Sequence, residues 1–275
     1  MIVDAQIHIW KANRPDRPWP TGGRDGRTAE PQRVIPLSAA EVLAAMDAAG
    51  VDRAILVPPS WEGDRNDLAL AAAAAHPDRF AVMGRIPVDI TPDRLARWRE
   101  QPGMLGIRTI FSTDSAWVRD GAAHWLWRVA ADADVPIMIA PSGNVALLRA
   151  VAEMHPKLSI IVDHMGARVH RIGAEAFADI EAVLALARLP NVAVKATSLP
   201  SYSAGGRPWA DVTPYLRRLF DAFGAERLFW GSDLSRLPCP YGELVDFFRT
   251  DLPWLSAHER ELILGKALLA RLRWL

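Results

Sequence analysis

Short apolar segments alternate with longer helical segments along the whole chain, and this alternation limits its possible folds more than any other feature. Several of the short segments, such as RAILV, PIMIA and SIIVD, are rich in β-branched residues. Such runs are typical of parallel strands that are covered on both faces. Eight strands are predicted, over residues 2–9, 53–57, 80–86, 105–111, 136–140, 159–163, 192–196 and 228–231.

The segments between the predicted strands carry helix start and stop signals. Ser38 precedes an apolar helical run with Glu41 three residues later, which is a capping box, and Gly50 supplies the stop. Pro92 follows Thr91 at a first helical position. Helices are predicted over residues 38–50, 64–76, 92–100, 122–134, 145–155, 174–189, 210–224, 242–251 and 257–272.

Eight strands that are each followed by a helix, in a chain of 275 residues, predict an α/β fold with a single domain spanning residues 1–275: a (β/α)8, or TIM, barrel. An open, doubly wound sheet is the alternative. The turn after the first predicted strand lacks the glycine-rich motif of the dinucleotide-binding version of that fold, which favours the barrel.

One connection, residues 11–37 after the first strand, is unusually long. It holds five prolines and six basic residues against three acidic ones, in a chain whose 32 basic and 32 acidic residues otherwise balance. Long loops in compact domains are commonly functional, and a loop after a barrel strand lies at the catalytic face. The loop predicts either an anionic substrate or a solvated surface segment.

The composition excludes several classes of function. A net charge of zero argues against nucleic acid or an anionic membrane as partner. The single cysteine, Cys239, excludes an internal disulfide framework. The longest apolar run, residues 68–75, is too short to span a membrane, and no secretory signal is evident, so we expect a cytoplasmic protein that acts on a small molecule.

Polar side chains occur at or near the carboxyl ends of five predicted strands, and in a barrel these ends meet at one mouth. Each residue alone has a structural explanation, such as a buried ion pair or a helix cap, so their shared position is the informative feature. With a period of two, Asp4, Gln6 and His8 are expected on one face of the first strand. The others are Arg108, Asp163, His164, Lys195 and Asp233.

These residues lie in motifs that resemble the amidohydrolase superfamily, in its branch of single-domain hydrolases and decarboxylases. The motifs VDAQIHIW, GIRTIF, IIVDHMG, NVAVKA, FWGSDLSR and ILGKALLARLRWL occur in family order over essentially the whole chain. Within that branch the chain looks most like the metal-independent lactonases, such as the pyrone dicarboxylate lactonase and the sugar-lactone hydrolases. The resemblance implies a barrel hydrolase.

The chain departs from the metal-binding members of the superfamily at two positions. Gln6 stands where those members begin a His-x-His pair, and the fifth strand ends at Ala140 with no histidine after it. Glutamine is a poor ligand for zinc. We therefore expect no cofactor, with one divalent ion, zinc or manganese, on His8, His164 and Asp233 as the alternative.

The resemblance, together with positions at strand ends and in the loops that follow them, predicts a role for each residue. Asp233, His164 and His8 are the predicted catalytic residues: Asp233 takes a proton from water, and the imidazoles, with Lys195, stabilise the oxyanion. Gln6, Arg108, Lys195, Arg168, Arg236, Trp10 and Ser60 are the predicted substrate-binding residues. Trp19 and Trp61 are candidate pocket walls, whereas His76, His124, His155, His170 and His258 are predicted to be structural.

Three functions remain open at this point. The first is hydrolysis of a small, carboxylated lactone by water that an aspartate activates. The second is metal-dependent hydrolysis or non-oxidative decarboxylation of an aromatic-like acid. The third is a barrel that only binds a small molecule, because a fold alone does not determine a function.

Overall fold

The computed structural model describes residues 1–20, 31–87, 89–111 and 121–274. Eight parallel strands lie side by side in chain order, which confirms the predicted (β/α)8 barrel. The strands are β1 (Val3–Ile7), β2 (Arg53–Leu56), β3 (Phe80–Gly84), β4 (Met104–Ile110), β5 (Ile137–Ala140), β6 (Ile160–Val162), β7 (Val192–Thr197) and β8 (Leu228–Gly231).

Helices follow the strands and cover the outside of the barrel. In the described residues they are α1 (Ala39–Ala49), α2 (Asp67–Ala75), α3 (Pro92–Ala96), α4 (His124–Asp132), α5 (Val145–Met154), α6 (Gly173–Ala176), α7 (Ile180–Ala185), α8 (Thr213–Phe223), α9 (Tyr241–Thr250), α10 (Ala257–Glu261) and α11 (Ala267–Leu272). Short 3-10 turns span Ser60–Glu62, Trp98–Glu100, Asp163–Gly166, Leu186–Arg188, Leu199–Tyr202 and Leu234–Arg236, and a π-helical turn spans Leu262–Lys266. No helix in these ranges is long and apolar enough to cross a membrane.

The sequence signals for helix ends act as predicted. The Ser38 backbone N–H donates to Glu41 Oε2 at 2.8 Å, the Glu41 N–H donates back to Ser38 Oγ, and Gly50 adopts a φ of 69° at the end of α1. The predicted helix over residues 174–189 is instead two helices, α6 and α7, with a turn between them. Asp179 lies in that turn and binds Arg168, so an ion pair stabilises the break.

Two apolar cores result from the alternation of side chains along the strands. The larger core lies between the sheet and the helices, and the smaller one fills the barrel interior. The interior core includes Ala5, Met83, Met138 and Phe229, together with Leu268 from α11. Because apolar side chains fill the interior, the polar residues that point inward are left at the carboxyl ends of the strands.

The first strand contains a bulge that changes which face its residues occupy. Asp4 pairs with Ala54 and Ile7 pairs with Leu56, so β1 has one residue more than β2 over the same stretch. Ala5 belongs to the interior core and Ile7 to the outer core. The expectation that Asp4, Gln6 and His8 share one face is therefore wrong, because a bulge breaks the period of two.

The barrel closes where β8 meets β1. The Asp233 N–H donates to the Gln6 carbonyl at 3.0 Å, and the Ser232 N–H donates to Asp4 Oδ1 at 2.9 Å. The Tyr241 hydroxyl donates to the other oxygen of Asp4 at 2.6 Å. The Asp4 side chain thus joins β1, the end of β8 and α9, and it does not face the barrel mouth.

Candidate active site

The backbone itself is unusual at the mouth of the barrel. A non-glycine residue with a left-handed conformation follows each of four successive strands: Ser142 after β5, His164 after β6, Ser198 after β7 and Asp233 after β8, with φ between 46° and 60°. This conformation is costly for residues other than glycine and clusters at functional sites. Here it follows four neighbouring strands whose ends meet at the mouth.

Asp233 and two histidines converge at this mouth. The His8 Nε2 atom lies 3.2 Å from Asp233 Oδ1, and the His164 Nε2 atom lies 3.9 Å from Asp233 Oδ2. The Ser198 hydroxyl donates to Asp233 Oδ2 at 3.3 Å, and Arg236 Nη1 lies 3.7 Å from the same oxygen. All three predicted catalytic residues therefore meet in one place, and each is at most 4% exposed.

The environment favours an ionised Asp233 and a neutral His164. Burial acts to raise the pKa of the Asp233 carboxyl, but the adjacent His8, His164 and Arg236 outweigh it and hold that pKa below its ordinary value. Burial lowers the pKa of His164 to about 3, against the charges of Asp233 and Asp163. Near neutral pH the site thus presents a carboxylate beside an uncharged imidazole.

Backbone and hydroxyl groups orient the two imidazole rings. His8 Nδ1 lies 2.6 Å from the Val57 carbonyl oxygen, which only accepts, so this ring nitrogen carries a proton. His164 Nδ1 lies 2.8 Å from the Thr197 hydroxyl at the end of β7. Each ring is therefore held at Nδ1 by its neighbour and turns Nε2 towards Asp233.

A buried chain of polar groups lies beneath these three residues. Lys195 Nζ donates to Gln6 Oε1 at 2.6 Å and lies 2.8 Å from Asp163 Oδ1. Arg108 Nε donates to the other carboxylate oxygen of Asp163 at 3.0 Å. Burial acts to raise the pKa of Asp163, but the two cations lower it to about 2. Asp163 is thus a charged partner that stabilises both Lys195 and Arg108 inside the barrel.

A cavity of about 140 Å³ opens above Asp233. Two arginines, Arg108 and Arg236, reach its wall, and Trp61 forms an aromatic side, with its ring centre 6.1 Å from that of His8. The lining residues are His8, Gln32, Pro59, Ser60, Trp61, Arg108, Ile110, Ala140, Ser142, His164, Val169, His170, Asp233 and Arg236. Six of the ten residues predicted from sequence are in this set.

The other four predicted residues lie elsewhere. Gln6 and Lys195 are fully buried below the cavity floor. Trp10 is buried behind Trp61, with ring centres 5.3 Å apart, so Trp61 and not Trp10 is the aromatic wall. Arg168 points away and forms a two-point ion pair with Asp179, at 2.8 and 2.9 Å. Sequence analysis predicts that all four bind substrate, but none of them lines the cavity.

Two lining residues were not among the site residues predicted from sequence. His170 was predicted to be structural, yet it lines the cavity, because the chain after β6 turns back over the mouth with a φ of 67° at this residue. Gln32 comes from the long loop and accepts a hydrogen bond from the Ser235 hydroxyl. Neither residue lies in one of the motifs that resemble the family, so no motif marked them.

The long loop therefore reaches the cavity through Gln32. One of its basic residues, however, forms ion pairs within the protein. Arg17 donates to Glu62 at 2.8 Å and to Asp67 at 2.7 Å, so it holds the loop against the segment after β2. Arg24 and Arg27, which contributed to the predicted excess of charge, lie outside the described residues. Among the described residues of the loop, these ion pairs support a structural role for Arg17.

The donor atoms do not suit a divalent ion as they are arranged. A metal on His8, His164 and Asp233 would need the Nε2 lone pairs of both rings. The Gln6 amide nitrogen lies 3.2 Å from His8 Nε2 and 3.4 Å from His164 Nε2, so the amide already occupies the space next to both nitrogens. Over residues 1–20, 31–87, 89–111 and 121–274, no group of three His, Cys, Asp or Glu side chains has the spacing of a metal site.

Known proteins share this architecture. The chain is 30% identical over 253 residues to an L-fucono-1,5-lactonase of Burkholderia ambifaria, covering 88% of this chain and 83% of the relative. It is 28% identical over 202 residues to a 4-sulfomuconolactone hydrolase of Hydrogenophaga intermedia, covering 70% of this chain and 63% of that protein. A crystal structure of an amidohydrolase from Burkholderia multivorans with bound zinc superposes with a TM-score of 0.77, at 22% identity and 99% coverage of both chains.

The family model described as amidohydrolase matches residues 3–267. This match takes in every strand of the barrel and all of the residues that meet at its mouth. Together with the relative at 30% identity, it confirms the family expected from the motifs. The chain belongs to the amidohydrolase family.

Proposed function

We propose that this protein hydrolyses a small lactone that carries an anionic group, without a metal ion. The observation that carries the proposal is the convergence of an ionised Asp233 with two imidazole Nε2 atoms beneath a small cavity walled by arginines. Two relatives are named for lactone hydrolysis, an L-fucono-1,5-lactonase and a 4-sulfomuconolactone hydrolase. An activated cyclic ester is a substrate that general-base catalysis can open.

The proposed reaction begins with water bound beside Asp233. The carboxylate removes a proton as the water oxygen attacks the lactone carbonyl carbon, which gives a tetrahedral oxyanion. The ring C–O bond then breaks, and the protonated Asp233 returns the proton to the departing ring oxygen. The product is a hydroxy acid, and its new carboxyl group loses a proton to solvent at neutral pH.

We assign stabilisation of the oxyanion to Arg236. Sequence analysis predicted the two histidines and Lys195 for this role, but burial lowers the pKa of His164 to about 3, so its imidazole is uncharged near neutral pH. Lys195 is fully buried below the floor. Arg236 lines the cavity 3.7 Å from Asp233, so its guanidinium lies near the point where water attacks.

The charge of the site favours an anionic substrate. Arg108 and Lys195 share one counter-ion, Asp163, so this carboxylate does not serve Arg108 alone. Arg108 is the member of the group that lines the cavity. A guanidinium suits bidentate recognition of a carboxylate or a sulfonate, which supports Arg108 as the group that binds the anionic end of the substrate.

The test is a panel of neutral and acidic lactones, followed through the acid that ring opening releases. We expect turnover of at least one acidic lactone, unchanged after treatment with a chelator. Loss of activity on chelation, with recovery on adding zinc or manganese, would establish the metal-dependent alternative instead. Binding of lactones without turnover would indicate a barrel that only binds a small molecule.

A further inference from the structure

We propose that Glu62 is a positioning residue that holds Trp61 in the wall of the cavity, and that the start of the long loop, residues 11–18, is the clamp that holds Glu62. The inference deepens the proposed lactonase function and rests on it. Glu62 directly follows Trp61 in the 3-10 turn after β2, is only 2% exposed and does not line the cavity. Any effect of Glu62 on the substrate therefore passes through its neighbour.

The wall of the cavity on this side is a short turn. Pro59, Ser60 and Trp61 all line the cavity. The Glu62 N–H donates to the Pro59 carbonyl at 3.1 Å, and the Gly63 N–H donates to the Ser60 carbonyl at 3.0 Å. These two bonds fix the shape of the turn, and contacts with the rest of the protein fix its position.

The Glu62 carboxylate makes such contacts through both of its oxygens. Oε1 accepts a hydrogen bond from the Lys11 N–H at 2.9 Å. Oε2 accepts from Arg17 Nε at 3.2 Å and from Arg17 Nη2 at 2.8 Å, and it lies 3.3 Å from Arg65 Nε. A buried carboxylate is costly unless charged and hydrogen-bonding groups surround it, as they do here. Glu62 therefore ties the turn to the start of the long loop.

The clamp is fixed at further points. Arg17 also donates to both carboxylate oxygens of Asp67 on α2, at 2.7 and 2.8 Å. Arg65 Nη2 donates to the Pro18 carbonyl at 3.0 Å. Arg14 and Arg17 exchange two backbone hydrogen bonds, at 3.0 and 3.3 Å. These contacts hold the clamp against the turn that forms the wall.

Trp61 is packed from behind by the residue that precedes the clamp. The rings of Trp10 and Trp61 meet edge to face with their centres 5.3 Å apart, and both residues are at most 5% exposed. On its other side, the centre of the Trp61 ring lies 6.1 Å from that of His8. Because Lys11 follows Trp10 directly, a shift of the clamp would move the aromatic wall relative to the catalytic residues.

The consequence concerns how the lactone ring is bound. An indole offers a large apolar surface to a small ring, whereas the arginines of the cavity serve charged groups. This contact is the same before and during ring opening, so it contributes to KM and not to kcat. An ion pair that only stabilised the fold would change the free energy of unfolding and leave KM as it is.

The kinetic test is a double-mutant cycle between Glu62 and Trp61. Glu62→Gln keeps the shape of the side chain and removes its charge, and KM for the preferred lactone should rise about 3–10-fold with kcat nearly unchanged. Trp61→Leu removes the aromatic wall and should raise KM at least as much. In the double variant Glu62→Gln should add nothing, because the residue through which it acts is gone. Increases in KM that multiply in the double variant would overturn the proposal, since the two residues would then act independently.

Two further variants complete the kinetic test. Glu153→Gln is the matched control, because it makes the same change at an exposed glutamate that pairs with Arg149 on α5, and it should alter neither constant. Arg17→Met weakens the clamp from the side of the loop and should also raise KM, so the proposal stays testable if Glu62→Gln does not fold. An unchanged KM in Arg17→Met, with folding checked by urea denaturation, would contradict the clamp.

A measurement without turnover separates this inference from the lactonase function. In protein labelled with 5-fluorotryptophan, the variants Trp10→Phe and Trp61→Phe identify the 19F resonances of these two residues. We expect Arg17→Met to shift both resonances, whereas Glu153→Gln should shift neither. Unmoved resonances in Arg17→Met would overturn the proposal even in a protein that hydrolyses lactones. Shifted resonances in a protein that hydrolyses no lactone would support the clamp and contradict the proposed function alone.

Discussion

At the scale of single residues, the chemistry depends on which atoms at the barrel mouth accept and which donate. Asp233 is fully buried and yet ionised, because His8, His164 and Arg236 surround it. Its left-handed backbone, with a φ of 51°, turns the carboxylate back over the end of β8. This arrangement differs from an ordinary helix cap, since no backbone N–H of the following turn binds its side chain.

The first prediction concerns Asp233→Asn. An amide can neither accept the proton of water nor return it to the leaving oxygen, so kcat should fall by about 10²–10⁴-fold with little change in KM. Acid release from the preferred lactone measures both constants. Asp89→Asn, at an exposed position, is the control and should behave as the wild-type protein does.

The pH profile gives a second check on the same residue. Because the pKa of Asp233 lies below its ordinary value of 3.8, the carboxylate is already ionised throughout the range above that value. The rate should therefore show no acid limb from Asp233 above about pH 4. An acid limb above pH 4 that moves to still higher pH in Arg236→Met, which removes a charge that lowers the pKa of Asp233, would show that Asp233 titrates higher than the structure implies.

The second prediction concerns Arg108→Met. Arg108 lines the cavity, so its loss should raise KM strongly for acidic lactones and little for neutral ones. The matched control is Arg149→Met, which removes an exposed arginine that pairs with Glu153 on α5. Equal effects of Arg108→Met on both substrate classes would show that Arg108 acts only by stabilising Asp163 and does not bind the anionic group of the substrate.

At the scale of elements, β1 determines the geometry of the site. Its bulge turns Gln6 and His8 into the barrel while Asp4 faces α9, where the Tyr241 hydroxyl binds it at 2.6 Å. Burial raises the pKa of Asp4 to about 6, although hydrogen bonds from Ser232, Tyr241 and Gln6 oppose it. The folded protein therefore binds a proton at Asp4 more tightly than the unfolded chain does.

The third prediction follows from this shift. A carboxyl group whose pKa rises on folding stabilises the fold below its unfolded pKa of 3.8, and this contribution is lost as the pH rises through about 6. The rise of this pKa from 3.8 to about 6 corresponds to roughly 3 kcal/mol. Asp4→Asn should therefore gain stability relative to the wild-type protein as the pH rises from 4 to 7, as measured by urea denaturation. A constant difference across that range would rule out titration of Asp4.

Sequence patterns predicted the elements well and their fine geometry poorly. The apolar segments located all eight strands, because burial on both faces leaves a strong local signal. The bulge in β1 left no such signal, since it depends on the pairing of β1 with β2. The orientation of Gln6 depends on Lys195, 189 positions away, and Arg168 is occupied by Asp179 in a turn that the helical pattern concealed.

At the scale of the whole molecule, the site exists only because the barrel closes. Asp233 follows the last strand, and its N–H donates to the Gln6 carbonyl on the first, so the seam between β8 and β1 brings the catalytic aspartate to His8. The motifs that resemble the family lie on strands throughout the chain and meet only in this closed form. The long loop adds Gln32 to the wall from outside the strands.

The fourth prediction tests the seam at Gly231, the last residue of β8. A Cβ atom there would lie 2.5 Å from Thr197 Cγ2 and 3.0 Å from the Ala5 backbone nitrogen, so the neighbouring strands would have to move apart. Gly231→Ala should destabilise the fold by about 1–3 kcal/mol, as overpacking does. Because the displaced strands carry His8 and Asp233, kcat should fall as well.

The matched control for Gly231→Ala is Gly242→Ala in α9. No heavy atom lies within 4 Å of a Cβ at Gly242, so alanine fits there without strain. Because alanine gives the unfolded chain less conformational entropy than glycine does, the free energy of unfolding should rise by about 0.4–1 kcal/mol. Urea denaturation and acid-release kinetics on both variants separate the two effects. If Gly231→Ala kept full stability and full kcat, the strands at the seam could move apart without disturbing the site. Closure of the barrel would then not be the cause of the alignment of Asp233 with His8.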